Sequence, residues 1–402
     1  MIQKDYLTTP KGTRDILLEE CEAQGWIEEK LTENFKSYGF FQVITPGIEY
    51  LDVYAEAPGN TGSEHMFKLM DNEGRILVLR PDSTAPIARL TATRLKNSPK
   101  PLRLYYNQRI YRQKNPYSGR RIETSQMGVE LIGTKGMRAD LEMLQLAMET
   151  LECCGLRDYR IELGHGGLCE LLLSRLTADG RIKEQLRQLI QSKNYPALND
   201  FLDSFGRSEA ARGVRALPGL FGGREVFQKA YGIFQDDEIR ETIDYMNALF
   251  EALTPIGLGD KLILDLGFVN DNDYYTGIIF QAYMQGTGEA VLLGGRYDRL
   301  SIRFGEGQPA VGFGVNTDLL TKHRLDTGTQ GPAKTARVLV WGEPGFEIKG
   351  MQYAVALRKE KDMIVENALF DNLEQCKAYA AAKGIPYIHA VGRTEEILSL
   401  EP

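Results

Sequence analysis

The sequence is poor in the residues that build metal centres and cross-linked scaffolds. Its 402 residues include four scattered histidines, with no HExxH and no spacing suited to a structural metal. The five cysteines, Cys21, Cys153, Cys154, Cys169 and Cys376, form an odd set without a CxxC pair. They read as reduced thiols of a cytoplasmic protein, mostly in its core, not as a disulfide framework. No run approaches the roughly 18 apolar residues of a membrane-spanning helix. The opening stretch, MIQKDYLTTPKGTRD, is polar and lacks an apolar segment of signal-peptide length. A surplus of positive charge is missing too: 48 Lys and Arg stand against 55 Asp and Glu, a net charge of −7. That balance argues against a broad nucleic-acid footprint, which needs clustered cations, and leaves room only for a local basic patch. There is no internal repeat or low-complexity tract, and nothing in the sequence asks for a cofactor.

What is present belongs to a globular protein with a sizeable core: 43% apolar and 26% charged residues, and length for about two or three domains. The stretch that organises the chain is Tyr106 to Gly133, YNQRIYRQKNPYSGRRIETSQMGVELIG. Two alternating runs joined by Asn115-Pro116-Tyr117-Ser118-Gly119 read as a long antiparallel hairpin. It carries Arg109, Arg112, Arg120 and Arg121, and arginine suits bidentate contact with carboxylate or phosphate. Gln126 and Glu130, four apart on one strand, point to the same face. A Gln and a Glu on one floor suit an ammonium group, so the hairpin reads as the bed of a small zwitterion, with a polyphosphate as a possible neighbour. The alternative is a surface hairpin whose charges guard an edge.

Taken in order, residues 1–14 are an extended arm, and Asp15 is placed to cap the helix marked by Ile27, Leu31 and Phe35 and stopped by Gly39. Strands follow over Phe40–Pro46 and Arg75–Arg80, with a loop over 52–64 between them. Asp82 before Thr84 and Pro86 reads as a helix cap, as a carboxylate at the mouth of the same site, or as both. Leu141, Leu144, Met148 and Leu151 mark a helix ended by Gly155. From about 168 to 253 the periodicity is helical and is bounded by strands, which reads as a helical insertion in a sheet domain. Strands resume at Leu262–Phe268, Ile278–Tyr283, Val291–Leu293 and Ala310–Gly314, with a helix starting near Asn316. The fold class is therefore α+β, an antiparallel sheet of about six or seven strands flanked by helices. Residues 1–325 make the core domain, and the Gly, Pro and Thr of 326–335 make a linker. Residues 336–402 make a small α/β domain of roughly 70 residues, near the lower size for independent folding.

Glycines Gly277, Gly294, Gly295 and Gly312 alternate with Tyr274, Tyr275 and Tyr297. This is a pattern for close backbone approach beside aromatic walls with hydroxyl tips, suited to a flat polar group such as imidazole. The ordered set KGTRD, LRPDSTAPIAR, GRR…QMGVELIG, DYYTGIIF, LGGRYDRL and PAVGFG resembles the class II histidyl-tRNA synthetase core over roughly residues 5–325. By that resemblance Asp82 (a Glu in much of the family), Gln126 and Glu130 match the ammonium ligands of bound histidine. Thr84, Tyr275 and Tyr297 match the rest of the cradle, with Tyr274 beside them. Arg112 and Arg120 match phosphate-facing arginines.

The departures from that family fall on activation chemistry. Asn270 stands where the synthetases carry an activating Arg, Leu319 where an Arg clamps the ATP phosphates, and Lys114 where an acidic residue serves ATP. Phosphoryl chemistry needs preorganised cations, and losing one such donor costs on the order of 10²–10³ in rate. A chain that keeps the histidine cradle and loses these groups resembles the family of ATP phosphoribosyltransferase regulatory subunits. The resemblance implies a non-catalytic role in the first step of histidine biosynthesis. It further implies a hetero-oligomer with a short-form catalytic subunit, built on a class II-type dimer, and feedback by histidine. The C-terminal domain resembles a reduced anticodon-binding domain, and tRNA is not expected as a partner. A divergent histidyl-tRNA synthetase, or a ligase joining an amino acid to another acceptor, is the alternative.

Overall fold

The central hairpin is the spine of the larger of two units. The computed structural model describes residues 7–55, 65–113, 121–206, 208–269, 274–328, 337–360 and 363–400. The chain divides into Met1–Thr327 and Gly328–Pro402.

In chain order the first unit contains α1 (Glu19–Ser37), β1 (Phe41–Gln42), β2 (Ile48–Tyr50), α2 (Asp52–Ala55), β3 (Lys68–Met70), β4 (Ile76–Leu79), α3 (Thr84–Thr93), β5 (Leu102–Tyr111) and β6 (Glu123–Ile132). There follow α4 (Met137–Cys153), β7 (Tyr159–His165), α5 (Gly166–Leu176), α6 (Gly180–Gln191), α7 (Tyr195–Leu202), α8 (Glu209–Ala216), β8 (Phe221–Gly222), α9 (Glu225–Ile233) and α10 (Asp237–Leu253). Then come β9 (Leu262–Asp265), β10 (Ile278–Met284), β11 (Leu292–Arg296), β12 (Ala310–Asn316) and α11 (Thr317–Asp326).

Among the described residues the main sheet has nine strands in the order β1-β5-β6-β12-β11-β10-β7-β9-β8. The run from β5 to β7 is antiparallel throughout, and β1 on β5 and β7 on β9 are parallel pairs. The sheet is wider than the expected six or seven strands because the two-residue β1 and β8 extend its edges. The strand expected over Phe40–Pro46 is confined to Phe41–Gln42, and β8 is too short for an alternation to register in sequence. The expected strand at Arg75–Arg80 exists as β4, but it joins a separate three-stranded sheet, β2-β4-β3.

One face of the main sheet is apolar. Met127, Val129 and Leu131 of β6, Val311, Phe313 and Val315 of β12, and Ile278, Phe280 and Ala282 of β10 pack there with Ile27, Leu31 and Phe35 of α1 and the buried stripe of α4. Burying a side chain of this size is worth roughly 1.5–3 kcal/mol, so the period-four pattern read in α1 is what fastens it. Its start differs from the expected Asp15 cap: the helix begins at Glu19 after Leu18, at φ 47°, with no side-chain cap. Gly39, at φ +78°, ends the same stretch. Helices α5 to α10, with β8 among them, lie between β7 and β9 and pack into the same core.

The second unit holds β13 (Arg337–Gly342), α12 (Glu347–Glu360), β14 (Ile364–Asn367), α13 (Leu373–Lys383), β15 (Tyr387–Val391) and β16 (Glu395–Ser399). Its sheet runs β14-β13-β15-β16, parallel in the first three strands and antiparallel at β16, a strand that sequence reading missed.

Candidate ligand-binding site

The other face of the main sheet carries the polar residues. Alternation on β6 sends Gln126 and Glu130 to it. Pairing places Gln126 opposite Asn316 and Glu130 opposite Gly312 on β12, and Gly128 opposite Tyr106 on β5. A cavity of about 60 Å³ sits there, lined by Asp82, Thr84, Tyr106, Arg112, Gln126, Glu130, Tyr274, Tyr275 and Tyr297 over a floor of β11 and β12. The structure thus brings together eight of the nine residues picked out from sequence; the ninth, Arg120, lies outside the described residues, as do Lys114 and Asn270.

Glu130 is 1% exposed. The Thr84 hydroxyl donates to its Oε1 at 2.8 Å, and the Tyr297 hydroxyl donates to its Oε2. Burial pushes the carboxyl up to about 8, against the pull of those two hydroxyls, and the nearby Asp82 pushes the same way. Asp82 is half-buried. Its Oδ1 accepts from the Ala85 N–H at 3.0 Å, and its backbone carbonyl accepts from the Tyr54 hydroxyl at 3.2 Å. Both readings of Asp82 therefore hold in geometry: it caps the first turn of α3 and faces the cavity. Burial raises its pKa, and the Ala85 N–H and the Arg112 guanidinium draw it back. Arg112 is fixed by donating from Nε to the Pro81 carbonyl at 2.8 Å, one residue before Asp82.

The Gln126 carbonyl accepts from the Tyr106 hydroxyl at 3.2 Å. Sequence reading passed over Tyr106, although it lies within the hairpin; its position over Gly128 follows from register, which a sequence does not show. Three tyrosines wall the cavity: ring centroids of Tyr274 and Tyr275 are 4.7 Å apart, and those of Tyr274 and Tyr297 are 5.7 Å apart and edge-on. Gly312 has a steric reason: a Cβ there would stand 2.0 Å from Glu130 Oε2 and 2.3 Å from the Val129 carbonyl. Any larger residue would drive the carboxylate out of its place.

The remaining hairpin arginines lie elsewhere. Arg109 pairs with Glu123 at 2.8 Å, and Arg121 with Asp318 at 3.4 Å. Leu319 lies in the first turn of α11, its N–H held by the Asn316 side chain at 3.2 Å, and its side chain packs on the main core. An aliphatic chain in that position supplies no charge to a phosphate.

Chemically, the cavity offers two carboxyls, a carboxamide and several hydroxyls among aromatic walls. The two carboxyls face each other with partial compensation from Arg112, so a cationic group between them would relieve repulsion and desolvation together.

The family model for histidyl-tRNA synthetase matches residues 12–320. An ATP phosphoribosyltransferase regulatory subunit of Clostridium botulinum is 37% identical over 96% of this chain and 92% of the relative. Another of that name, from Geobacter sulfurreducens, is 34% identical over 95% of this chain and 88% of the relative. A solved structure described as an ATP phosphoribosyltransferase regulatory subunit/histidyl-tRNA synthetase from Bacillus halodurans superposes with a TM-score of 0.81 at 30% identity, covering 92% and 96% of the two chains. A histidyl-tRNA synthetase from Nostoc superposes at 0.76 with 19% identity over 98% and 94%, a likeness of fold. On the family match and these relatives together, the chain belongs to the histidyl-tRNA synthetase-like family of ATP phosphoribosyltransferase regulatory subunits.

Proposed function

We propose that this chain is the non-catalytic, histidine-sensing subunit of an ATP phosphoribosyltransferase. Histidine sits with its ammonium among Asp82, Gln126 and Glu130, and its imidazole against Tyr274, Tyr275 and Tyr297. The observation that carries this reading is the buried Glu130, fixed by Thr84 and Tyr297 beside a second carboxyl and a carboxamide. Two carboxylates and an amide satisfy three ammonium donors without leaving a buried charge unpaired. Adenylation of the bound amino acid is not part of the function, since Leu319 and Asn270 replace cations that would steady the phosphates. Arg112 then serves chiefly as a countercharge to Asp82.

The partner is a short-form catalytic subunit, which this chain activates and renders sensitive to histidine. Self-association as a class II-type dimer is supported by apolar side chains left exposed on β1 and the small sheet, among them Phe41 at 75% and Met70 at 76%. The second unit, Gly328–Pro402, has no tRNA duty in this reading.

Calorimetry of histidine against wild type and Glu130→Ala tests the pocket. Removing the countercharge of a desolvated ammonium weakens binding by about 2–5 kcal/mol. Equal affinity in the two proteins would place the effector elsewhere.

A further inference from the structure

A second polar cluster lies behind the tyrosine wall. Arg296 follows Gly294 and Gly295 on β11 and is 7% exposed. Its Nε and Nη2 both donate to Asp140 Oδ1 on α4, at 2.8 and 2.5 Å. Its Nη1 reaches the Thr134 carbonyl and Asp298 Oδ1, each at 3.2 Å. The other Asp140 oxygen, Oδ2, accepts from the Tyr245 hydroxyl at 2.5 Å, and Tyr245 belongs to α10 of the helical insertion. Asp140 is fully buried.

Arg296 also anchors the cavity wall. Its backbone carbonyl accepts from the Thr276 N–H at 2.8 Å, and the Asp298 N–H donates to the Thr276 hydroxyl at 3.0 Å. The side chain runs over Gly277, where a Cβ would meet Arg296 Cδ at 2.8 Å. The next residue is Tyr297, whose hydroxyl holds Glu130. A chain of direct contacts therefore runs from the insertion to the ammonium site: Tyr245, Asp140, Arg296, then its covalent neighbour Tyr297, then Glu130.

We infer that Tyr245 is a positioning residue for the ligand pocket, acting through Asp140 and Arg296 on Tyr297 and on the wall at Tyr274–Gly277. Without its hydroxyl, Asp140 Oδ2 is left buried and unpaired, a costly state that reorientation or protonation relieves. Either response slackens the grip on Arg296. By linkage, a ligand that tightens Glu130 and Tyr297 also steadies the insertion, which makes the insertion the element through which occupancy is read by a partner. The ligand half of this inference rests on the histidine reading; the positional half does not.

The test uses the full chain as wild type, Tyr245→Phe and Tyr231→Phe. Tyr231 is the control, because its hydroxyl donates to Asp244 at 2.6 Å on the exposed side of the same insertion. Tyr245→Phe is expected to lower histidine affinity by about 5-fold or more, within the usual range of coupling between sites. It also speeds amide exchange in peptides spanning 274–277 and 294–298 in protein without ligand. Tyr231→Phe changes neither. Asp140→Asn, which leaves Tyr245 intact, should reproduce both effects. Histidine affinity in Tyr245→Phe equal to wild type overturns the inference, since a hydroxyl with only a structural role would shift melting and not binding. If wild type binds no histidine, the function proposed above falls, and the exchange comparison decides this inference by itself: faster exchange in those two peptides upholds it, and unchanged exchange overturns it.

Discussion

With no cation beside it, Glu130 keeps its proton at neutral pH, because burial holds its carboxyl at about 8. An ammonium at the same place favours the carboxylate. Histidine binding near pH 7 is therefore expected to release a proton. Calorimetry in buffers of different ionisation enthalpy reads this as a slope, and Glu130→Gln removes the slope along with most of the affinity. The sign for folding follows from the same shift. The folded value lies above the ordinary 4.5, so this group's contribution to stability is complete below about pH 4 and is lost as pH rises through about 8. Gly312→Ala puts a methyl into the space of Glu130 Oε2. It should cost about 1–3 kcal/mol of stability and abolish histidine binding, read by thermal melts and calorimetry. At this scale the sequence was legible for side chains whose chemistry is rare: Gln126 and Glu130 four apart, and tyrosines between glycines. It was silent on Tyr106, because the pairing of Tyr106 with Gly128 is a matter of register between strands.

Helices announced themselves by period. Ile27, Leu31 and Phe35 predicted α1, and Leu141, Leu144, Met148 and Leu151 predicted α4; of these Ile27, Leu31, Phe35, Leu144 and Leu151 are buried. Short strands announced themselves poorly: β8, of two residues, went unread, and β1, expected over Phe40–Pro46, forms over two residues only. The cap of α1 was misread because Asp15 is a good cap in isolation, while the chain turns into the helix only after Leu18, three residues later. The junction of the insertion with the sheet holds a feature that no local pattern reveals. Asp265 of β9 and Glu162 of β7 are both buried, with Gln281 donating to Glu162 at 2.5 Å and Lys193 at 3.8 Å from Asp265. Burial first, and then Glu162, hold Asp265 at about 7. Protons therefore stabilise this junction: its contribution is complete below about pH 4 and is lost as pH rises through about 7. Asp265→Asn should raise stability by about 1–3 kcal/mol at pH 8 and change it little at pH 5, measured by chemical denaturation. A greater gain at pH 5 than at pH 8 would show that Asp265 is not held protonated.

For the whole molecule, the order of motifs along the first 325 residues made the fold legible, and the departures at Lys114, Asn270 and Leu319 are what the proposed loss of adenylation rests on. Leu319 belongs to the core packing and has no charge to offer. Sequence could not show the polar chain from α10 to Glu130, whose members are scattered from residue 130 to residue 297 and meet only once helices and sheet have packed. The central claim is that a synthetase pocket has become a sensor for another enzyme. The most direct test is phosphoribosyl transfer by a short-form catalytic subunit, assayed alone and mixed with this chain as histidine rises, with histidine-driven pyrophosphate exchange by this chain as the companion reading. The prediction is that the chain alone is inert in both assays, and that the mixture is more active than the catalytic subunit and is inhibited by histidine. Pyrophosphate exchange by the chain alone, or transfer that neither this chain nor histidine alters, would contradict the account.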